Sequence, residues 1–244
     1  MPFRLDASVL ALATILTSGC ATGAVREPRL HTVQIGDRSN TLVVMLPGIK
    51  DRAEQFLVAG FVGGDAVPDA FDVLVVEPEM SDYVRGTLVE RLRTQIIEPA
   101  QARGYDEIWL LGVSIGGYGS LLYAGAFPAD IRGVVLLAPY LGGRRLPRTI
   151  AAAGGLAIWP PGTELHPRPF VRGWRALKAL TKGTGTTVVL GFGGGDPLAE
   201  TYMPLLEALP RSQIYTAAGG HEWSTWTPLW HEIKATIDSA PRAQ

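Results

Sequence analysis

The sequence predicts an α/β fold in which a mostly parallel sheet carries helices on both faces. Three observations point there. Short runs rich in Val, Ile and Leu alternate with longer stretches of helical character. Several of these runs are apolar at every position rather than at every second one, the pattern of strands buried on both sides. The 244 residues, 47% apolar and 18% charged, supply enough core for one such domain.

The strands are expected at 32–36, 42–46, 73–76, 108–111, 134–137, 188–191 and 213–216, with a tight polar turn at 37–40 between the first two. Helices are expected at 52–61, 83–102, 116–127, 204–209 and 223–237; Pro128 closes the third, because proline cannot continue a helix. No internal repeat is visible. The longest stretch without a strand, 142–185, is where a small cap insertion would sit.

Composition excludes several function classes. The formal charge is −1, from 22 basic and 23 acidic residues, so the bulk balance does not suggest a nucleic-acid partner. One cysteine cannot form an internal disulfide or a thiolate zinc site. No metal or cofactor is expected.

Residues 7–17 form an apolar run after Arg4, too short to span a bilayer and suited to an export signal. It leads into Leu16-Thr17-Ser18-Gly19-Cys20, which resembles the lipobox of bacterial lipoproteins. That resemblance implies cleavage before Cys20 and lipidation of its sulfur, several acyl chains giving firm anchorage. A plain cleaved signal is the alternative. Ala21 after the cysteine resembles the form sorted to the outer membrane. The expected organisation is a signal at 1–19, a tether at 20–30 and one domain at 31–244, lipid-anchored in a bacterial envelope and facing the periplasm.

Gly112-Val113-Ser114-Ile115-Gly116 matches G-x-S-x-G between a strand and a helix. A serine in a strained turn there needs neighbours without side chains, which Gly112 and Gly116 provide. In this frame the sequence resembles the α/β-hydrolase family over residues 30–240. The family order of serine, acid, histidine implies Ser114 as nucleophile and His221, in the loop Gly219-Gly220-His221-Glu222-Trp223, as base. His231, inside a helix, reads as a surface residue, and His166 as a cap residue. Asp196 ends a glycine-rich loop after the sixth strand and is the expected acid; capping the helix that Pro197 begins is its other reading. Leu46-Pro47-Gly48-Ile49 resembles the family's oxyanion loop, which implies donors from the backbone N–H groups of Ile49 and Ile115. Gly48 has a second reading as a plain turn glycine.

Between 142 and 185 lie eight basic residues, Arg144, Arg145, Arg148, Arg168, Arg172, Arg175, Lys178 and Lys182, against the single acid Glu164. This asymmetry suits an anionic substrate or envelope polymer, or else a solvated helix face. Aromatic residues such as Trp159, Trp174, Tyr118, Tyr140, Phe192 and Trp223 fit an acyl pocket or ordinary core. The expected activity is hydrolysis of a carboxylic ester or thioester of a small molecule or lipid through an acyl-enzyme. Two alternatives remain open: an acyltransferase or perhydrolase using the same residues, and a non-catalytic envelope binding lipoprotein. The oligomeric state is left open.

Overall fold

The structure, a computed structural model, describes residues 29–37, 39–62, 71–162 and 170–238. Seven strands form one sheet: β1 (His31–Ile35), β2 (Thr41–Leu46), β3 (Asp72–Glu77), β4 (Glu107–Val113), β5 (Gly133–Leu137), β6 (Thr187–Gly193) and β7 (Ile214–Ala217). Their spatial order is β1-β3-β2-β4-β5-β6-β7. β1 runs antiparallel to β3, with His31 opposite Glu77, and every other pair is parallel.

The continuous apolar runs have a physical reason in this arrangement. All six residues of β2 are buried. Leu42, Val44 and Leu46 join one apolar cluster and Val43 and Met45 the other, so the alternation of side chains survives with both destinations dry. One face is covered by α1 (Glu54–Val58) and α9 (Trp223–Asp238), the latter through Trp226, Leu229, Trp230, Ile233 and Ile237 at helical spacing. The other face is covered by α3 (Leu88–Leu92), α4 (Glu98–Ala102), α5 (Ile115–Ala126), α7 (Val171–Leu180) and α8 (Met203–Ala208). Among the described residues no helix is long and apolar enough to cross a membrane.

Each expected strand is present, lengthened or shifted by a residue or two. The helices differ more. The one helix expected at 83–102 is four pieces. α2 (Met80–Arg85) ends at Gly86, whose φ of 75° closes it in the left-handed conformation. A π-helical turn, Arg93–Ile97, then separates α3 from α4. Pro99, at the start of α4, would press on the carbonyl four residues back in a regular helix, and the wider turn relieves that contact. α1 is half as long as expected, because Gly60 (φ 73°) turns the chain and Phe61 folds back to donate its N–H to Phe56 at 2.9 Å.

Two helices fall in the stretch expected to be a cap, α6 (Arg145–Ala152) and α7. α7 lies along α5, where Ala176 sits so near Gly125 that a Cβ there would meet it at 2.4 Å. Its Trp174 is fully buried and donates its indole N–H to the Leu141 carbonyl at 3.1 Å. The signal, Cys20, nearly all of the tether, Glu164, His166 and Arg168 lie outside the described residues.

Candidate active site

Ser114 occupies the junction between the end of β4 and the start of α5, with φ 52° and ψ −114°. Few residues adopt this conformation, which costs on the order of 1–3 kcal/mol, so the surroundings must hold it. They do so through the backbone. The Ser114 N–H donates to the Leu137 carbonyl at 2.9 Å, and its own carbonyl accepts from Tyr140 at 2.8 Å and Gly117 at 3.0 Å. The flanking glycines are required by contact: a Cβ on Gly112 would lie 2.3 Å from the Gly116 carbonyl, and one on Gly116 would lie 2.2 Å from the Leu46 carbonyl oxygen. Strand, turn and helix therefore pack backbone to backbone.

The structure brings Ser114, His221 and Asp196 together at the carboxyl end of the sheet. His221 Nε2 is 3.0 Å from Ser114 Oγ, and Nδ1 is 2.9 Å from Asp196 Oδ2. Asp196 is buried, and its other oxygen accepts the Leu198 N–H at 2.7 Å. One oxygen thus orders the turn and the other holds the imidazole; no helix begins at Pro197, the next one starting at Ala199 after Leu198, so the helix-cap reading of Asp196 is not met. Tyr202, fully buried, donates its hydroxyl to Asp196 Oδ2 at 3.4 Å. Burial, with the Asp196 carboxylate beside it, pushes the Tyr202 hydroxyl far above its ordinary range, so it remains a donor. The Trp226 ring stands edge-on to the imidazole, centroids 4.9 Å apart. The sequence reading missed Tyr202 and Trp226. Neither belongs to a spacing motif; Tyr202 lies six residues past the acid and Trp226 five past the histidine.

Ile49 and Ile115 both line a cleft of about 440 Å³ beside Ser114, together with Pro47, Pro78, Met80 and Tyr83. Gly48 has more than a turn to make: a Cβ there would stand 3.6 Å from Ser114 Cβ and 2.6 Å from Asp51 Oδ2. Near the nucleophile, Phe170 packs against Tyr118 and Tyr140, with centroids 4.8 and 5.1 Å apart. His231 lies on the exposed side of α9, 3.1 Å from the Gly60 carbonyl.

Four of the eight basic residues of 142–185 are engaged with the fold. Arg144 and Arg148 face Glu200 at 3.4 and 3.7 Å, Arg175 donates to the carbonyls of Pro161 and Gly162, and Lys178 donates to that of Trp159. Among the described residues one group, His31, Glu54 and Glu77, brings three ligating atoms within 4.8 Å of one another. Its members already pair: His31 with Glu54 at 3.4 Å, and Glu77 with Arg52 at 3.4 Å and the Ala53 N–H at 3.0 Å.

No protein-family model and no curated protein matches the sequence. Solved structures do. S-formylglutathione hydrolase from Staphylococcus aureus superposes with a TM-score of 0.59 at 14% identity, covering 81% of each chain. Est1E from Butyrivibrio proteoclasticus gives 0.58 at 14%, covering 87% of this chain and 95% of that one. An alpha/beta hydrolase from a sediment metagenome of the Mar Chica lagoon, Morocco, gives 0.53 at 19%, covering 87% and 98%. The chain has the α/β-hydrolase fold. In an α/β-hydrolase sheet the carboxyl ends of the strands form the crevice where ligands collect, and Ser114, Asp196 and His221 all stand there.

Proposed function

We propose that this chain is a serine hydrolase that cleaves a carboxylic ester or thioester through an acyl-enzyme. The observation that supports this most directly is the unbroken relay from Asp196 Oδ2 through His221 to Ser114 Oγ, with steps of 2.9 and 3.0 Å, ending on a serine held in a strained turn. A serine hydroxyl is a poor nucleophile unless its proton is accepted as it attacks. In this reading His221 Nε2 takes that proton while Oγ bonds to the substrate carbonyl carbon, and Asp196 steadies the imidazolium from the other side. The carbonyl oxygen becomes an oxyanion that accepts from the N–H groups of Ile49 and Ile115. His221 then returns the proton to the leaving alcohol or thiol as the carbon–oxygen or carbon–sulfur bond breaks. Water, deprotonated by the same imidazole, releases the acid and restores Ser114.

The cleft beside Ile49 and Ile115 is apolar over most of its surface, with Lys50, Asp51, Arg52 and Glu77 also in its wall, and suits an acyl or alcohol group. The S-formylglutathione hydrolase among the structures of like fold is consistent with an ester or thioester bond. Ser114→Ala should abolish hydrolysis of a short p-nitrophenyl ester while its Tm stays near the wild type. A variant as active as wild type would reject the assignment. A binding lipoprotein without catalysis would instead leave Ser114 unlabelled by a fluorophosphonate in the folded wild-type protein, and acyl transfer would appear as new esters when alcohols are added.

The lipobox-like segment supports a lipid anchor at Cys20 and a place in the bacterial envelope, with Ala21 favouring the outer membrane. A fatty-acid analogue should label the wild-type protein expressed in a bacterium and fail to label Cys20→Ser.

A further inference from the structure

We propose that His31, Glu54 and Glu77 form a binding site for a divalent transition-metal ion of the zinc type, built where β1, α1 and β3 meet. The site stands apart from the serine-hydrolase reading and uses none of its residues. Backbone structure sets out the three side chains. His31 lies directly opposite Glu77 in the antiparallel β1–β3 ladder, and residues so paired put their side chains on one face of the sheet. Glu54 is the first residue of α1, and the N–H of Ala53 just before it donates to Glu77 Oε2 at 3.0 Å. One backbone bond therefore fixes both the Glu77 carboxylate and the start of the helix that carries Glu54.

These placements bring one donor atom from each residue within 4.8 Å of the other two. His31 Nε2 stands 3.4 Å from Glu54 Oε1, longer than a good hydrogen bond between a ring nitrogen and a carboxylate. It is a fitting length for two ligands of one ion. A nitrogen and an oxygen each about 2.1 Å from zinc, at the tetrahedral angle, lie about 3.4 Å apart. Two carboxylates converging this closely also repel each other. The neighbouring cation answers only one of them, Arg52 Nη1 lying 3.4 Å from Glu77 Oε1 on a side chain that is 78% exposed. A divalent ion would neutralise both.

The donor types select the ion. Calcium and magnesium take oxygen ligands, whereas an imidazole with two carboxylates suits zinc, cobalt or nickel. His31 and Glu54 are open to solvent, so water takes the remaining coordination positions. Bound there, the ion would clasp the edge strand and the first turn of α1 to the end of β3, where Glu77 and Arg52 also wall the cleft beside Ser114.

The test uses the full chain without an affinity tag, stripped by a chelator and then titrated with zinc, nickel, calcium or magnesium chloride, with calorimetry and thermal melting as readouts. One zinc per chain should bind, with nickel close to it and calcium and magnesium at least about tenfold weaker. Tm should rise by about 5–10 °C when zinc is about 100 times its Kd. His31→Gln and Glu54→Gln stand at exposed positions and should melt within about 2 °C of wild type without metal. Glu77→Gln keeps an acceptor for the Ala53 N–H. Each of the three should weaken zinc by about tenfold or more. Arg52→Ala, which removes the competing cation, should tighten it about two- to fivefold. His221→Ala and His231→Gln, which alter histidines elsewhere, should leave it unchanged. Zinc binding indifferent to the three ligand substitutions, binding lost with His221→Ala or His231→Gln, calcium binding as tight as zinc, or no saturable zinc binding would overturn the proposal.

Discussion

At the scale of single residues, the three side chains of the relay are joined by hydrogen bonds across 107 and 25 positions of sequence, so each is exposed to a different substitution. Asp196→Asn keeps the shape and loses the charge and the correct acceptor. It should lower kcat on the order of 10³–10⁴-fold, with KM and Tm near wild type, as read from steady-state kinetics and thermal melting. Tyr202→Phe removes one long hydrogen bond of 3.4 Å and leaves Asp196 held by Leu198 and His221, so the loss in kcat should be only about two- to tenfold. Ser114, His221 and Asp196 were legible because strand ends and glycine loops mark them along the chain. Tyr202 was not: it stands only six residues past Asp196, but no spacing motif marks it, and its contact exists only once the turn after β6 has folded.

Among the elements, the inner strands β2 to β6 were legible because their residues are buried on both faces, a condition written into composition. Helix limits were not. The breaks in 83–102 depend on Gly86 and Pro99 acting inside an otherwise helical pattern, and α6 and α7 lie where loop-forming residues hide the helical spacing. α7 is basic on one side and apolar on the other, and the apolar side, with Trp174 and Leu177 fully buried, is what seats it along α5. One very tight junction between elements is that of β2 with α5. Gly116→Ala would press a methyl group to 2.2 Å from the Leu46 carbonyl oxygen, where only backbone could give way. It should cost about 2–4 kcal/mol, a fall in Tm of roughly 5–15 °C, and activity should fall with it because Leu46 leads into the loop bearing Ile49.

For the molecule as a whole, a chain of net charge −1 holds eight of its basic residues within 142–185. Pairing with carbonyl groups fixes where Arg175 and Lys178 point but does not neutralise them, so their field persists. An anionic ester should therefore lose kcat/KM as salt rises from about 0.01 M to 0.5 M, where the Debye length falls from ~30 Å to a few ångströms, and a neutral ester of equal size should not. Equal behaviour of the two would confine the basic segment to a structural part. The antiparallel β1 has an effect on a larger length. By placing His31 opposite Glu77, it brings the chain into the sheet at the edge where the parallel strands finish, on the side of Ser114. Eleven peptide units, at most about 40 Å when drawn straight, join Cys20 to that point. Were Cys20 to carry the lipid proposed for it, that length would set how far from the bilayer this end of the sheet could stand.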